Sequence, residues 1–157
     1  MEEINLARMH TRKKGQSGSK KPYRTEPPAW SNTNKEEIEK TLIQLATQGK
    51  STSEIGMVLR DRYGVPDVRK VTGKKILSIM KENKMAPKVP EDMYNLISHV
   101  LELKKHLDSN PKDNHNKRSF NNKISKIRRL EKYYKREGRL PKTWKYSIQT
   151  AEMLISR

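Results

Sequence analysis

The stretch that most constrains this chain is "DNHNKRSFNNKISKIRRLEKYYKR", residues 113–136. Phe120, Ile124, Ile127, Leu130 and Tyr134 recur every three or four positions, which is the spacing of one face of an α-helix. Around that stripe stand nine basic residues: Lys117, Arg118, Lys123, Lys126, Arg128, Arg129, Lys132, Lys135 and Arg136. Glu131 is the one acid between Lys117 and Arg136. A fold that contains this segment must bury a narrow apolar stripe and leave a dense positive row outside it. A merely solvated face usually interleaves acids to limit self-repulsion, and this row does not. Such a row binds phosphate at little cost, so a nucleic-acid contact is the expected use.

The rest of the chain has the same helical period. "TNKE" at 33–36 fits a capping box, with Thr33 as cap and Glu36 three residues on. Ile38, Leu42, Leu45 and Ala46 then form a stripe that Gly49 closes. "STSE" at 51–54 repeats the device before Ile55, Val58, Leu59 and Tyr63, and Gly64 ends that helix. After the "GVPD" turn, a third apolar segment holds Val68, Val71, Ile76, Leu77, Ile79 and Met80, broken at Thr72-Gly73. "KMAPKVP" is a linker. A long helix should start near Pro90, a residue suited to a first turn, with the stripe Met93, Leu96, Ile97, Val100, Leu103 and Leu107. Asp113 can cap the basic helix and Gly138 can stop it. "LPKTWKYS" connects to a short last helix with Ser147 as its cap and Ile148, Ala151, Leu154 and Ile155 as its apolar residues. No segment alternates at period two. The expected fold class is all-α, organised as a basic extended arm (1–30), a small helical module (31–86) and a helical bundle (87–157).

Charge narrows the function. The net charge is +17, distributed as +4 over residues 1–30, +4 over 31–87 and +9 over 88–157. That excess favours a polyanionic partner. Hydrophobic residues make up 32% of the chain, well under the roughly 45–50% of ordinary globular domains, so the core must be thin. With no Cys, disulfide and thiolate chemistry are excluded. No apolar run approaches the roughly 18 residues of a membrane span, and "MEEINLARMH" lacks a signal-peptide pattern. A cytoplasmic protein with no membrane partner is expected. In "ARMHTRKKGQSGSKKPYRTEPPAW", Arg8, Arg12, Lys13, Lys14, Lys20, Lys21 and Arg24 precede the first acid, Glu26. Gly15, Gly18 and Pro22 oppose a helix, and an arm that orders along nucleic acid is expected.

Enzymatic readings are weak. "TGKKI" at 72–76 lacks the first Gly of a phosphate loop and has Lys75 where Ser or Thr is needed. His99, His106 and His115 with Asp113 match no standard metal-ligand spacing. No catalytic residue, metal or cofactor is assigned. More informative is "HLDSNPKDNHNKRSF", residues 106–120, which sets His106, Asp113, His115 and Asn116 at the mouth of the basic row. An acid there cannot grip phosphate. It can cap the helix by accepting an orphan N–H. It can also accept from a base amino group or ribose 2′-hydroxyl in the wide, shallow minor groove of an RNA duplex. On that second reading the polar cluster selects the site and the basic helix holds it. Both readings are open on residue types. A competing view takes residues 34–83 as a helix-turn-helix DNA reader, with Arg69, Lys70, Lys74 and Lys75 in its recognition segment. The basic remainder of the chain favours structural RNA.

Two stretches carry a family resemblance. "ARMHTRKKGQSGSKKP" looks like the N-terminal signature of the archaeal form of small-subunit ribosomal protein fifteen. "HLDSNPKDNHNKRSFNNKISKIRRLEKYYKR" looks like that family's core, which bacterial members open with a similar H-L…K-D-x-H-x-x-R. The chain resembles this family from Ala7 to its end, and the family is similar to the eukaryotic small-subunit protein numbered thirteen. The resemblance implies a non-enzymatic, monomeric, helical rRNA-binding protein. It implies binding to the central domain of small-subunit rRNA at a three-way junction and a nearby minor-groove site, early in assembly. It also implies neighbouring ribosomal proteins as partners and an intersubunit bridge to large-subunit rRNA. By position, His106, Asp113 and Asn116 match the minor-groove readers, with Asn116 where bacterial members have Ser. Arg129 and Tyr133 match positions near the junction, and His99 stands where many bacterial members have Arg. Family members open with Met before "ARMH", and Leu6 stands in that place, which implies a start at Leu6.

Overall fold

The computed structural model describes residues 26–155, together with Gly18 and Tyr23. Among these residues the chain is all-α, with α1 (Lys35–Thr47), α2 (Thr52–Tyr63), α3 (Val68–Thr72), α4 (Ile76–Glu82), α5 (Glu91–Ser109), α6 (Asn114–Arg136) and α7 (Ile148–Ile155). Two compact units are built from them, one ending at Lys88 and the other beginning at Val89. Each has its own apolar core. The expected arm residues Arg8, Arg12, Lys13, Lys14, Lys20 and Lys21 lie outside the described residues.

In the first unit, Ile38, Leu42 and Leu45 of α1 pack with Ile55 and Leu59 of α2, Val65, Val68, and Ile79 and Met80 of α4. The caps explain where these helices start. Ser51 Oγ accepts from Glu54 N–H at 3.3 Å while Glu54 Oε2 accepts from Ser51 N–H at 2.9 Å, the reciprocal box read from "STSE". The first cap sits one residue later than "TNKE" suggests. Asn34 Oδ1 accepts from Glu37 N–H at 3.5 Å, and Asn34 N–H donates to Asn32 Oδ1 at 2.9 Å. The turn made by Asn32 thus displaces Thr33 from the capping position. Tyr63, expected in the stripe of α2, is 40% exposed, because Gly64 adopts the left-handed conformation (φ +64°) immediately after it and the helix ends before that side chain reaches the core. The break at Thr72-Gly73 is present: Gly73 is left-handed (φ +76°), α3 has 5 residues and α4 has 7. The recognition segment of the competing DNA-reader view is therefore not one continuous helix, and Ile79 and Met80 of α4 lie in the core.

In the second unit, α5 and α6 form an antiparallel pair joined by a short turn. Met93, Ile97 and Val100 of α5 face Ile127, Leu130 and Tyr134 of α6, with Val89, Leu140 and Ala151 of α7 completing the core. Phe120 and Ile124 pack at its edge rather than inside it. Polar ties fix the register. Tyr134 O–H donates to Asp92 Oδ2 at 2.6 Å, joining the end of α6 to the start of α5, while Asp92 Oδ1 accepts from Met93 N–H at 2.8 Å. Burial, reinforced by the Asp92 carboxylate, pushes the Tyr134 hydroxyl well above the usual tyrosine range. Lys104 of α5 pairs with Glu152 of α7 at 2.8 Å, and Ser147 Oγ accepts from Thr150 N–H at 3.1 Å to cap α7.

Candidate nucleic-acid interface

The polar cluster assembles where α5 ends and α6 begins. His106 lies in the last turn of α5, Asp113 is the N-cap of α6, and His115 and Asn116 lie in the first turn of α6. Asp113 Oδ1 accepts from the Asn116 backbone N–H at 2.9 Å. Asp113 Oδ2 accepts from Asn116 Nδ2 at 2.7 Å and lies 3.0 Å from His106 Nε2. An ionised carboxylate only accepts, so Nε2 carries the proton and the opposite ring nitrogen, Nδ1, faces Asn110 Nδ2 at 3.5 Å. Asn110 Nδ2 also donates to the His106 carbonyl at 3.2 Å. The same argument orients Asn116: its amide nitrogen faces the acid, leaving its carbonyl oxygen for an outside donor.

Three hydrogen bonds converge on one carboxylate. The Asn116 N–H bond is the largest influence, followed by His106 and the Asn116 side chain, and together they hold the Asp113 carboxyl well below the usual carboxylate range. The acid stays charged and keeps its neighbours in place. Its side chain is 28% exposed and that of His106 is 43% exposed, so the cluster is ordered but reachable. Of the cluster's members, Asn110 was not singled out from sequence. Its signal was its position four residues after His106, one helical turn on. His115 is exposed on the same turn.

Behind the cluster runs α6, whose 23 residues span about 34 Å at 1.5 Å per residue. Ile127 marks its buried side. Arg118, Arg129, Lys132 and Arg136 fall on the opposite side, while Lys117 and Arg128 flank it. Lys117, Arg118, Arg128, Lys132 and Arg136 are exposed, and Lys126 and Arg129 are half-buried. Glu131 is turned inward: Oε1 pairs with Lys135 Nζ at 2.6 Å and Oε2 accepts from Tyr146 N–H at 3.3 Å. With a side chain only 16% exposed, the one acid of the row anchors the connector before α7 and pairs with Lys135. Near the far end, Arg136 lies over the Tyr133 ring at 5.7 Å, and Tyr133 meets Tyr134 edge-on at 5.0 Å. Arg129 and Tyr133 are half-buried, one turn apart.

The arrangement holds polar donors and acceptors at one end of a positively charged rod, with an aromatic–arginine group toward the other. It can bind a phosphate backbone along its length and meet base or ribose edges at its head. His99 instead pairs with Glu102 at 3.3 Å. Among the described residues no group of three or more His, Cys, Asp or Glu side chains is placed to hold a metal, and no helix is long and apolar enough to cross a membrane.

Known proteins resemble this chain along most of its length. Residues 6–65 match the Ribosomal S13/S15 N-terminal domain family and residues 75–154 match the Ribosomal protein S15 family. Small ribosomal subunit protein uS15 of Methanococcoides burtonii is 59% identical over 152 residues, covering 97% of this chain and 100% of the relative. The protein of the same name from Methanocella arvoryzae is 54% identical over the same extent. That from Methanococcus vannielii is 47% identical over 150 residues, covering 96% of this chain and 99% of the relative. The chain belongs to the ribosomal protein S15 family and is a structural ribosomal protein rather than an enzyme.

Proposed function

We propose that this protein is a constituent of the small ribosomal subunit that binds the central domain of small-subunit rRNA early in assembly. The reader is the His106–Asp113–Asn116 cluster, set against a minor groove. The grip is the outer side of α6, which follows the phosphate backbone toward a three-way junction near Arg129 and Tyr133. Residues 113 and 133 are about 30 Å apart along the helix, so one rigid element touches both places and fixes the angle between them. In this reading residues 87–157 carry the junction contact and residues 1–30 thread along rRNA. Residues 31–86 meet neighbouring ribosomal proteins. A further contact with large-subunit rRNA forms an intersubunit bridge.

The observation that carries the reading is the convergence of three hydrogen bonds on Asp113 at the head of the basic helix. A cap needs only one of them, the bond from Asn116 N–H. The other two fix a histidine and an amide that have no role in the core, at an exposed corner. Preorganised polar groups of this kind discriminate between base edges because a wrong edge leaves them unpaired.

The test is a salt-dependent binding titration with three ligands: the central-domain junction RNA, the same RNA with its minor-groove site altered, and a random DNA duplex of equal charge. Tight binding to the first that is lost on alteration supports the reading. Equal binding to all three reduces the protein to an electrostatic glue and overturns it.

A further inference from the structure

One exposed group on the first unit is used by nothing described above. Trp30 is 70% exposed, yet its backbone is tightly held. Ser31 N–H and Ser31 Oγ–H both donate to the Pro28 carbonyl, at 2.9 and 2.7 Å, and Ser31 itself is buried. Two residues on from Trp30, Asn32 N–H donates to the Gly64 carbonyl at 3.3 Å. That bond seats the Trp30 turn beside the C-terminal end of α2, where Tyr63 is the other exposed aromatic and Arg60 and Arg62 fill the last turn. Arg60 is engaged by Asp61 at 2.6 Å, which leaves Arg62 as the cation of that end.

We propose that Trp30 and Tyr63, with Arg62 beside them, form a stacking site for an unpaired nucleotide of rRNA. The inference rests on the rRNA-binding reading above and assigns a second contact to a different unit. Stacking explains the combination of features. A tryptophan whose backbone is already held in a tight turn has little backbone freedom left to lose on binding, and any base offers it a flat apolar face. Unpaired bases are where RNA exposes such faces, and arginine next to aromatics supplies the neighbouring phosphate contact. The approach to the turn is basic in sequence, with Lys20, Lys21 and Arg24 ahead of it. The acids close by are Glu26 in the sequence before it, Glu37, which accepts from Asn32 Nδ2 at 3.4 Å, and Asp61, which is held by Arg60 at 2.6 Å. A neutral base face tolerates them where a phosphate would not. A protein partner would bury the same indole but would have no use for that basic approach.

The chain contains two Trp residues, so emission can be made specific. The full-length Trp144→Phe variant is titrated with a transcript of the small-subunit rRNA central domain and, separately, with a fully paired RNA duplex of equal length. Wild type and Trp30→Phe are titrated alongside, so that their difference reports Trp30 should Trp144→Phe fold poorly. The expected result is strong quenching of Trp30 by the transcript and little by the duplex. Trp30→Ala weakens transcript binding roughly 5- to 150-fold, the range for removing one base-stacking aromatic, and Trp30→Phe restores most of it. Discriminating transcript binding with unchanged Trp30 emission and an unaffected Trp30→Ala variant overturns this inference and leaves the rRNA reading standing. Loss of that discrimination in wild type, with Trp30 still quenched, overturns the rRNA reading alone. Emission that changes only when small-subunit proteins are added makes Trp30 a protein contact and overturns the stacking site.

Discussion

Asp113 Oδ2 stands 3.0 Å from His106 Nε2, across the turn that joins α5 to α6. The other oxygen of the same carboxylate caps α6 through Asn116 N–H. One side chain therefore does two separable things, and two substitutions separate them. Asp113→Ala removes both and should cost about 0.5–2 kcal/mol of stability for the cap, along with selectivity. Asp113→Asn keeps one oxygen for the cap but presents an NH2 group toward His106 and the Asn116 amide. It should stay within about 0.5 kcal/mol of wild type in thermal unfolding, since Asn is as good a cap as Asp. It should nevertheless lose about 1–3 kcal/mol of discrimination between the cognate and altered minor-groove RNAs. Equal discrimination by Asp113→Asn and wild type would leave the acid as a cap only.

Acid should act on the cap late. The folded-state carboxyl of Asp113 is depressed below its ordinary value of 3.8. A depressed carboxyl contributes stability that is complete above the unfolded value and is lost as pH falls toward the folded one. The Asn116 amide resonance should thus hold its capped position at pH 5 and change only below the ordinary carboxylate range. Asp113→Ala should remove this part of the acid limb. A shift of the Asn116 amide centred above pH 4 would contradict the hydrogen-bonded geometry.

Arg128 is exposed at mid-helix, away from the polar cluster. Arg128→Ala should weaken binding to cognate and altered RNA alike and lower the slope of log affinity against log salt by about one. If it instead relaxes selectivity as an Asp113 variant does, the division between head and rod fails.

Tyr133 and Tyr134 are neighbours with opposite duties. Tyr134→Phe removes the bond to Asp92, an acid that water can satisfy, and should cost about 0.5–1.5 kcal/mol of stability without changing RNA affinity. Tyr133→Ala should weaken binding to the junction RNA more than to an isolated duplex carrying only the minor-groove site. Paired melting and filter-binding measurements decide both.

Glu131→Gln tests the inward acid. The amide oxygen can still accept from Tyr146 N–H, but the Lys135 pair is lost, for about 0.5–2 kcal/mol at so sheltered a position. RNA affinity should hold or rise, because the row gains net positive charge. A fall in affinity at unchanged stability would mean that Glu131 touches RNA.

Most of the architecture is legible in the sequence because helices advertise themselves by spacing. The stripes of Ile38–Leu42–Leu45 and Met93–Ile97–Val100 follow from residue order alone, and so do the Ser51–Glu54 box and the Asp113 cap. The errors fall where spacing stops. Thr33 fits the capping pattern, but a local turn by Asn32 moves the start to Asn34. Tyr63 keeps the period of α2 and still misses the core, because the chain turns at Gly64. Leu140, at 4% exposure, and Val89, at 7%, complete the second core from irregular segments that have no period to read. In the interface, the residue types at 106, 113 and 116 are visible in the sequence. Which atom meets which is not, since it depends on how the Asn110–Asp113 turn closes. Likewise Glu131 reads as an interruption of the positive row, and only its two inward bonds remove it from that row.

That turn has a bearing on how the protein comes into being. Asn110 N–H donates to the His106 carbonyl and Asp113 N–H to the Asn110 carbonyl, so α5 and α6 double back on each other with almost no loop to close. The contacts of the first unit likewise run between helices that follow one another closely in sequence. Chains whose native pairs are near neighbours fold fast, within microseconds to milliseconds, because little loop entropy is surrendered before contacts form. The first unit and the α5–α6 turn can close early in synthesis, whereas the Lys104–Glu152 tie between α5 and α7 waits for the last helix. A newly made molecule therefore reaches its binding partner with both cores already shaped.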